Sequence, residues 1–359
     1  MNSSFDPSGK VWSEISKPSP STDSGPVTRT TPALSLVLPV FNEEATIPEL
    51  YRRLTTVLKS MQECYEIIFV NDGSTDHSLP RLYELATQDR NVKVVNFSRN
   101  FGHQIAITAG LDYSRGQAVI IMDADLQHPP EVFPLLLQKW REGYDVVYAV
   151  KAERGGEGAF KRGTAALFYQ VLRYLSQVDI PANVGDFRLM SRRAVEAMRV
   201  LRERQRFVRG LSIWIGFRQT AVSFVQEARY AGETKYPLRK MLKFALDGIA
   251  SFSFAPLRLA TYLGLSAAAV SFCYLLYAVG IKLFTDRSAS GWASLIVTIL
   301  FIGGVQLITL GIIGEYIGRI YEEIKQRPLY IVAETVGFSV ESKEHIRGED
   351  NGSRYGSIV

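Results

Sequence analysis

Two long apolar segments near the C-terminus restrict what this chain can fold into more than any other feature. Residues 259–281 and 292–314 each run for 23 residues without a formally charged side chain. As a helix rising about 1.5 Å per residue, each would be roughly 34 Å long, and the hydrocarbon core of a bilayer is about 30 Å thick. The alternative, a pair of buried helices in a soluble bundle, seldom contains charge-free runs of this length. The sequence therefore predicts two transmembrane helices within residues 258–318.

Basic residues flank these segments and predict their orientation. They precede the first segment and follow the second, whereas the loop 284–291 between them is nearly neutral; they are Arg239, Lys240, Lys243 and Arg258, then Arg319, Lys325 and Arg327. Because Lys and Arg concentrate on the cytoplasmic side, we predict a multi-pass protein of the inner or plasma membrane with its other domain and both termini in the cytoplasm. The net charge of +5 is concentrated beside apolar helices, which favours an anionic membrane over nucleic acid as the partner.

Residues 34–235 have the alternation that is typical of an α/β domain. Helical stretches such as 48–61 and 130–143 separate strand-like apolar runs at 34–40, 66–72, 92–98, 118–125 and 145–150. This alternation predicts a Rossmann-like, mostly parallel sheet with crossover helices.

The segments around this domain differ from it in composition. Residues 1–33 are rich in Ser, Pro and Thr and lack the apolar stretch of a signal peptide, which predicts a disordered N-terminal arm. Residues 236–257 mix Lys and Arg with apolar residues at helical spacing, which predicts juxtamembrane amphipathic helices. Residues 319–359 are assigned to a cytoplasmic tail. The two cysteines, Cys64 and Cys273, have no spacing that indicates zinc or a disulfide framework.

Polar residues follow the apolar runs where each predicted strand ends. They are Asn42 and Glu43, Asn71 and Asp72, Ser98 and Arg99, and Asp123 and Asp125. Open sheets of this kind bind ligands at the carboxyl ends of their strands, so a polar cleft is expected there. The chain has no GxGxxG after its first strand and no GxxxxGK[ST], which argues against a dinucleotide-binding fold and a P-loop enzyme.

The segment DADLQHPPE at 123–131 is the most informative of these strand ends. Asp123 and Asp125 come directly after an apolar strand, and Pro130 opens the helix that follows. Carboxylates two residues apart bring oxygens near one hard cation, and oxygen ligands suit Mg²⁺ or Mn²⁺, which would also bridge a diphosphate. A DxD alone is a weak signal, but this context strengthens it.

Three further positions are candidates with plainer alternatives. At the same edge, Asp72 is suited to hydrogen-bond a nucleobase and Glu43 a ribose or base, although each also fits a simple strand-to-helix turn. Arg188 lies on a predicted strand in GDFRLMSR, where a fixed guanidinium would grip phosphate oxygens in a bidentate way. His103 and His128 are interpreted as structural groups or as polar groups behind the site.

Five segments in this order and spacing resemble the family 2 inverting glycosyltransferases with a GT-A fold. They are LPVFNEE (38–44), VNDGSTD (70–76), SRNFGHQIAITAGLD (98–112), DADLQHPPE (123–131) and GDFRLMSR (185–192). Within that family the chain looks most like the polyprenyl-phosphate glycosyltransferases, the group that includes dolichyl-phosphate mannose synthase and bacterial undecaprenyl-phosphate glucosyltransferases. The resemblance covers about residues 34–240, and the two apolar segments resemble the membrane-anchored branch.

The resemblance implies a role for each of these motifs. Asp123, Asp125 and Arg188 would be the catalytic residues, with a metal held by Asp123, Asp125 and Gln127. The nucleotide-sugar donor would contact Pro39, Glu43, Asp72, Asp123, Arg229 and Lys235. The acceptor phosphate would contact Arg154, Lys161, Arg162 and Arg188, although a solvated charge run remains the alternative for the first three. Arg229 and Lys235 would alternatively contact lipid headgroups.

These roles predict an inverting transfer of a sugar onto a polyprenyl phosphate, with glucose from UDP-glucose and undecaprenyl phosphate as the preferred pair. Mannosyl or aminoarabinose transfer by the same mechanism is the alternative, and a non-catalytic lipid-binding partner of a flippase is another. A processive polysaccharide synthase is disfavoured because only RGLSIW at 209–214 echoes its QxxRW motif and because two spans are too few. Small-residue patches at 264–269 and 301–305 predict a homo-oligomer, and a small flippase protein is a further predicted partner.

Overall fold

The structure is a computed structural model that describes residues 32–151, 184–204, 206–225, 255–284 and 291–338. Residues 1–31 of the predicted arm (1–33) and residues 236–254 of the predicted amphipathic segment (236–257) lie outside these residues. In chain order the elements are β1 (Leu34–Val40), α1 (Ile47–Ser60), β2 (Tyr65–Asn71), α2 (Ser78–Gln88), β3 (Val92–Phe97), α3 (His103–Tyr113), β4 (Ala118–Ile121), a 3-10 turn (Pro130–Val132), α4 (Phe133–Arg141), β5 (Val146–Lys151), β6 (Val184–Ser191), α5 (Arg192–Val200), α6 (Val208–Trp214), β7 (Gln219–Phe224), α7 (Ala255–Phe284), α8 (Trp292–Ile324) and β8 (Val332–Val336).

The strands form one mixed sheet of eight, in the order β7-β5-β6-β4-β1-β2-β3-β8. The strands β4, β1, β2 and β3 are parallel neighbours, as are β5 and β7. By contrast, β6 runs antiparallel to both β4 and β5, and β8 runs antiparallel to β3. The Rossmann-like character predicted from the sequence is therefore confirmed, within a mixed sheet.

The core explains why the first strands are continuously apolar. Every residue of β1 is buried, because helices cover both faces of the sheet. On one face α1 contributes Leu50, Leu54 and Leu58 at helical spacing, and on the other Ile107 of α3 packs with Val37. Burying one such side chain contributes about 1.5–3 kcal/mol.

Helix α3 lies unusually close to the sheet. A Cβ atom added to Gly110 would be 2.1 Å from Cγ1 of Val37, so only glycine allows this approach. The contact seats the middle of α3 on β1. It therefore fixes the position of His103 and Gln104 in the first turn of α3.

Helices α7 and α8 contain the two apolar segments, and they contact each other. Large apolar side chains along both are exposed, among them Leu265, Phe272, Leu307 and Leu310. Within the described residues, one stretch, Phe301–Ile324, has the length and composition to cross a membrane, and Ala260–Tyr274 is a shorter apolar helix. The prediction of two spans therefore stays a prediction.

The chain after α8 differs from the tail expected at 319–359. The helix continues to Ile324, and residues 332–336 return to the sheet as β8, with Val94 opposite Val336 and Asn96 opposite Glu334. This strand was missed because VAETV is too short and too polar to give a clear alternation. The segment that follows the apolar helices is thus part of the α/β domain.

Candidate active site

A pocket of about 330 Å³ opens at the carboxyl ends of β1, β2 and β4. It is lined by Pro39, Val40, Phe41, Glu43, Asp72, His103, Asp123, Ala124, Asp125, Asp186 and Arg209. Five of the residues predicted from the sequence are therefore brought together, namely Pro39, Glu43, Asp72, Asp123 and Asp125. The cleft lies at the edge of the sheet where the parallel strands predicted it.

The loops after β1 and β2 are fastened to each other by their polar side chains. The backbone N–H of Asn42 donates to Oγ of Ser74 at 3.0 Å, and the N–H of Thr75 donates to Oδ1 of Asn42 at 2.8 Å. The N–H of His77 donates to the Glu44 carboxylate at 2.7 Å. These bonds fix the rim of the pocket near Glu43, whose carboxylate accepts from the Thr46 hydroxyl at 2.9 Å.

Asp72 holds the loop between β3 and α3 with its carboxylate. Oδ1 accepts from the N–H of Phe101 at 2.7 Å, and Oδ2 accepts from the N–H of Gly102 at 3.0 Å. The side chain is nearly buried, and this burial raises the pKa of the Asp72 carboxyl despite the two N–H donors. Because a carboxylate has about four acceptor directions, Asp72 can also accept a hydrogen bond from a ligand in the pocket.

Gly73 is required where the β2 loop passes this neighbouring loop. Its φ is +68°, and a Cβ atom would lie 2.6 Å from both the carbonyl carbon of Arg99 and the nitrogen of Asn100. We expect Gly73→Ala to lower the free energy of unfolding by about 1–3 kcal/mol. It should also weaken donor binding about tenfold, because the loop held by Asp72 must move. Chemical denaturation and the donor KM measure the two effects.

Gly143→Ala is the matched control for that substitution. Gly143 has a φ of +92°, but its nearest neighbour is the flexible end of Arg218 at 3.4 Å, and it does not line the pocket. The control should lose stability and keep its donor KM. An unchanged donor KM in Gly73→Ala would contradict the role assigned to this close approach.

The DxD carboxylates lie just beyond the end of β4. The strand ends at Ile121, and the chain then turns through Leu126, whose φ is +61°. Oδ1 of Asp125 accepts from the N–H of Gln127 at 3.1 Å. Oδ1 of Asp123 is shielded from solvent and has no hydrogen-bond partner of good geometry among the described residues, although His103 Nε2 is 3.2 Å away. A buried anionic oxygen without a donor is suited to a cation.

The donor set around this oxygen fits a divalent metal. One ligand atom from each of His103, Asp123 and Asp186 can be chosen so that all lie within 4.8 Å of one another, and of these the two carboxylates supply the oxygens, because His103 carries a proton beside them. Asp125 lines the same pocket. Carboxylate oxygens are the ligands that Mg²⁺ and Mn²⁺ prefer, so the residues present fit the predicted ion. Gln127 is not among the pocket-lining residues described.

Asp186 is the centre of the ionic contacts on the opposite wall. Its two oxygens accept from Nε and an Nη of Arg209, both at 2.9 Å, and Gln104 Nε2 donates to Oδ2 at 3.2 Å. His103 Nε2 lies 3.4 Å from the same oxygen. Burial alone would raise the pKa of the Asp186 carboxyl, but His103 and Arg209 hold it well below its usual range.

The carboxylates of Asp123 and Asp186 raise the pKa of His103. Its position in the pocket disfavours the charged form, yet the short contacts of its Nε2 with the Asp123 and Asp186 carboxylates outweigh this and raise the pKa of His103 to about 10. His128 behaves differently, since burial against Phe187 and Phe224 lowers its pKa. The pocket thus contains two carboxylates, Asp123 and Asp186, next to the cationic groups of His103 and Arg209 before any ligand binds.

The comparisons with known proteins agree with this geometry. The family description Glycosyl transferase family 2 matches residues 35–199, and the description GtrB C-terminal hairpin matches residues 255–320. The chain is 52% identical to an uncharacterized glycosyltransferase, YkcC, of Bacillus subtilis, over 88% of this chain and 97% of that protein. It is 46% identical to the bactoprenol glucosyl transferase of Shigella phage SfII, over 83% of this chain and 97% of that protein. The chain belongs to glycosyl transferase family 2. The family membership predicted from the motifs is therefore confirmed.

This glycosyltransferase also resembles solved structures at a lower level. One is glucosyl-3-phosphoglycerate synthase from Mycobacterium tuberculosis in complex with Mn²⁺, UDP and glucosyl-3-phosphoglycerate. The two are 22% identical with a TM-score of 0.44, over 61% of this chain and 78% of that one.

Arg188 of this glycosyltransferase does not occupy the position expected of a phosphate ligand. Its side chain is fully buried, and its guanidinium donates to the Ser212 hydroxyl, to the Gly185 carbonyl at 2.7 Å and to the Asp186 carbonyl at 3.3 Å. It also lies over the ring of Tyr148. In this geometry the Arg188 guanidinium supports the start of the Asp186 strand, and its role at a phosphate stays a prediction. The pocket-lining arginine of the described residues is Arg209.

Five of the predicted site residues fall outside the part of the chain that the structure describes. They are the acceptor-phosphate candidates Arg154, Lys161 and Arg162 and the donor candidates Arg229 and Lys235. Their roles stay predictions.

Sequence reasoning committed to no role for three polar residues of this glycosyltransferase's pocket, namely His103, Arg209 and Asp186. His103 was interpreted as a structural or supporting group, although it follows Gly102 at the start of a helix, near the predicted cleft. Arg209 was noted only as part of RGLSIW. No local pattern points to either residue, because their place in the pocket depends on how α3 and α6 pack across the sheet.

Proposed function

We propose that this glycosyltransferase transfers glucose from UDP-glucose to undecaprenyl phosphate with inversion at the anomeric carbon. The observation that carries the proposal is a carboxylate-rich pocket in a chain related over 83% of its length to a bactoprenol glucosyl transferase. The match to a GtrB C-terminal hairpin over residues 255–320 supports the same acceptor class. Mannosyl or aminoarabinose transfer by the same mechanism is the alternative.

The metal in this proposal is Mg²⁺ or Mn²⁺, held by Asp123 and Asp125 with Gln127. Support comes from the shielded Asp123 oxygen, which has no well-aligned hydrogen-bond donor among the described residues, and from the preference of these ions for oxygen ligands. When bound, such an ion neutralises the charge that develops on a departing diphosphate. The protein itself has to hold the Asp123 and Asp125 oxygens in the pocket, and the turn through Leu126 supports this position.

The remaining pocket residues divide between donor and acceptor. Pro39, Glu43 and Asp72 lie along the rim formed by β1 and β2, the side we assign to the nucleoside. Arg209 lies across the pocket on α6, the side we assign to phosphate charge. A phosphate monoester has a second pKa near ~6 and is already largely dianionic at neutral pH. The acceptor therefore needs orientation more than deprotonation by a dedicated base.

The membrane part of the proposal rests on the paired helices α7 and α8. Their exposed apolar side chains are suited to lipid, and two spans would keep the pocket at the membrane surface where a polyprenyl phosphate headgroup lies. With the flanking basic residues on the cytoplasmic side, the α/β domain faces the cytoplasm. A homo-oligomer and a small flippase partner stay predictions from the sequence.

A direct assay tests this proposal. The full-length protein in detergent would be given undecaprenyl phosphate and, in turn, radiolabelled UDP-glucose, GDP-mannose and a UDP-aminoarabinose, followed by lipid extraction. We expect label in the lipid phase from UDP-glucose, dependent on Mg²⁺ or Mn²⁺ and lost with EDTA. Labelling from another donor alone would replace glucose by that sugar. Donor binding without transfer to any lipid would favour the non-catalytic alternative.

A further inference from the structure

The segment that follows α8 packs against the part of the domain that holds Asp72. We propose that residues 328–338 form a brace that positions Asp72 for the donor, with Tyr330 as its positioning residue. The inference rests on the proposed function in one respect, the assignment of Asp72 to the donor nucleoside. The contacts that lead from Tyr330 to Asp72 are all within described residues.

The first part of the brace is the attachment of the segment to the sheet. β8 pairs antiparallel with β3, and the N–H of Ser98 donates to the carbonyl of Ile331 at 3.0 Å. Gly337 has a φ of +84°, and a Cβ atom there would lie 2.6 Å from the carbonyl oxygen of Val92. The segment therefore packs closely along β3, the strand that leads into the loop whose N–H groups bind Asp72.

The second part is a row of aromatic rings. The ring of Tyr330 stacks on Phe97 with centroids 5.2 Å apart, and Phe97 meets Phe101 edge to face at 5.5 Å. The backbone N–H of Phe101 is the donor that binds Asp72 Oδ1 at 2.7 Å. Tyr330 is thus two ring contacts and one hydrogen bond away from the Asp72 carboxylate. Aromatic pairs of this kind have preferred geometries, so removing one ring disturbs the orientation of the next.

The third part is a hydrogen bond to the far end of α3. The Tyr330 hydroxyl donates to Oδ2 of Asp112 at 2.8 Å, and Arg202 contacts the same oxygen at 2.7 Å. The Asp112 side chain is 7% exposed. Asp112 lies in the last turn of α3, and His103 lies in its first turn. Gly102, the residue before α3, donates its N–H to Asp72. Tyr330 therefore contacts β3 through Phe97 and α3 through Asp112. These two elements flank the loop whose N–H groups bind the Asp72 carboxylate.

The brace also connects to the end of α8. The N–H of Arg204 donates to the Glu323 carboxylate at 2.7 Å, and the Arg204 guanidinium donates to the carbonyl of Arg327. These contacts anchor the chain on either side of the turn that leads from α8 to Tyr330. The end of α8 and the donor side of the pocket are thereby connected through one short segment of the chain.

Two substitutions at Tyr330, with one control, test the proposal in the full-length protein. Tyr330→Phe removes the hydrogen bond to Asp112 and keeps the stacked ring, whereas Tyr330→Leu removes both. Tyr83→Phe is the control, because the Tyr83 hydroxyl donates to Glu334 of the same segment at 2.6 Å, a bond to β8 rather than to the aromatic row or to Asp112. The readouts are the KM for the donor, the KM for the lipid acceptor, kcat, and the Kd for UDP measured by calorimetry.

We expect Tyr330→Leu to raise the donor KM and the Kd for UDP about tenfold, equivalent to about 1.4 kcal/mol. The kcat at saturating donor and the acceptor KM should stay within about twofold, since neither depends on the Asp72 loop. Tyr330→Phe should show a smaller rise of about threefold, and Tyr83→Phe should leave the donor KM unchanged. A rise confined to the two Tyr330 variants supports the brace.

Three outcomes would overturn the proposal. The first is an unchanged donor KM and UDP Kd in both Tyr330 variants. The second is an equal change in the donor KM of Tyr83→Phe. The third is a fall in kcat that is proportional to the loss of folded protein, with no change in the donor KM. The last two would show that the segment only stabilises the fold. If Tyr330→Leu does not fold, the comparison of Tyr330→Phe with Tyr83→Phe decides. Failure of UDP to bind the unsubstituted protein would instead count against the proposed donor, and is read separately.

Discussion

Replacing Asp125 by asparagine is expected to reduce sugar transfer by about 10³-fold or more while the protein stays folded. The amide keeps the size of the side chain but loses the negative charge that a hard divalent cation requires. Asp125 is half-buried at the pocket, where its Oδ1 accepts from the N–H of Gln127 at 3.1 Å, and asparagine keeps an oxygen that can accept the same bond, so the protein should stay folded. Transfer of label to lipid at saturating Mg²⁺, with thermal unfolding alongside, measures both effects.

Glu131→Gln is the matched control for Asp125→Asn. Glu131 follows the same motif, but its side chain is exposed and pairs with Arg53 at 2.7 Å outside the pocket. The control should retain full activity. The ion dependence gives a second readout, because Mn²⁺ binding followed by electron paramagnetic resonance should be lost in Asp125→Asn and kept in Glu131→Gln. Substantial turnover of Asp125→Asn at saturating Mg²⁺ would refute the metal role.

The donor side of the site could be predicted from the sequence because parallel strands impose a shared edge. Once the runs at 34–40, 66–72 and 118–125 were interpreted as parallel strands, the polar residues at their carboxyl ends had to meet. Glu43, Asp72, Asp123 and Asp125 all line the pocket for this reason. The strand bounds differ from those predicted chiefly at β4, which ends at Ile121 because the DxD segment leaves the sheet to form the turn.

The opposite wall could not be predicted in the same way, and strand direction explains why. β6 is antiparallel to β4, with Arg188 opposite Ile121, so the beginning of β6 reaches the pocket edge. Asp186, two residues earlier, therefore lies beside Asp123, while Arg188 is buried within the sheet. A strand direction set by a long connection leaves no local pattern, and neither does the packing of α6 that brings Arg209 to Asp186.

The return of the chain as β8 also could not be predicted, because it depends on pairing with β3, which is far away in the sequence. The expected tail was inferred from charge and from the end of the apolar segments, and neither property reports on an unpaired sheet edge. β3 would otherwise be an edge strand with exposed N–H and C=O groups, and β8 satisfies them. Sequence patterns thus predicted the elements that are locally periodic, whereas long-range pairing decided the rest.

Replacing Asp186 by asparagine should have the second large effect, a fall in transfer of about 10²-fold or more. Asp186 balances two cationic groups in the pocket, the Arg209 guanidinium at 2.9 Å and His103 at 3.4 Å. Asparagine would leave both without their shared anion and would remove a negative charge next to Asp123. We therefore expect Arg209 to lose its fixed orientation and metal affinity to fall, since nearby oxygens help to hold the ion.

Asp145→Asn separates this effect from a loss of stability. Asp145 is also a buried carboxylate with an arginine partner, Arg193, and it accepts from the Ser191 hydroxyl at 2.8 Å, but it lies outside the pocket. Breaking either pair should lower the free energy of unfolding by about 2 kcal/mol, a value reduced from that of fully buried pairs because each arginine is partly exposed. Only Asp186→Asn should lower kcat per folded molecule. Equal activity of the two variants would show that Asp186 merely stabilises the fold, whereas a loss confined to Asp186→Asn would place its charge in the transfer step.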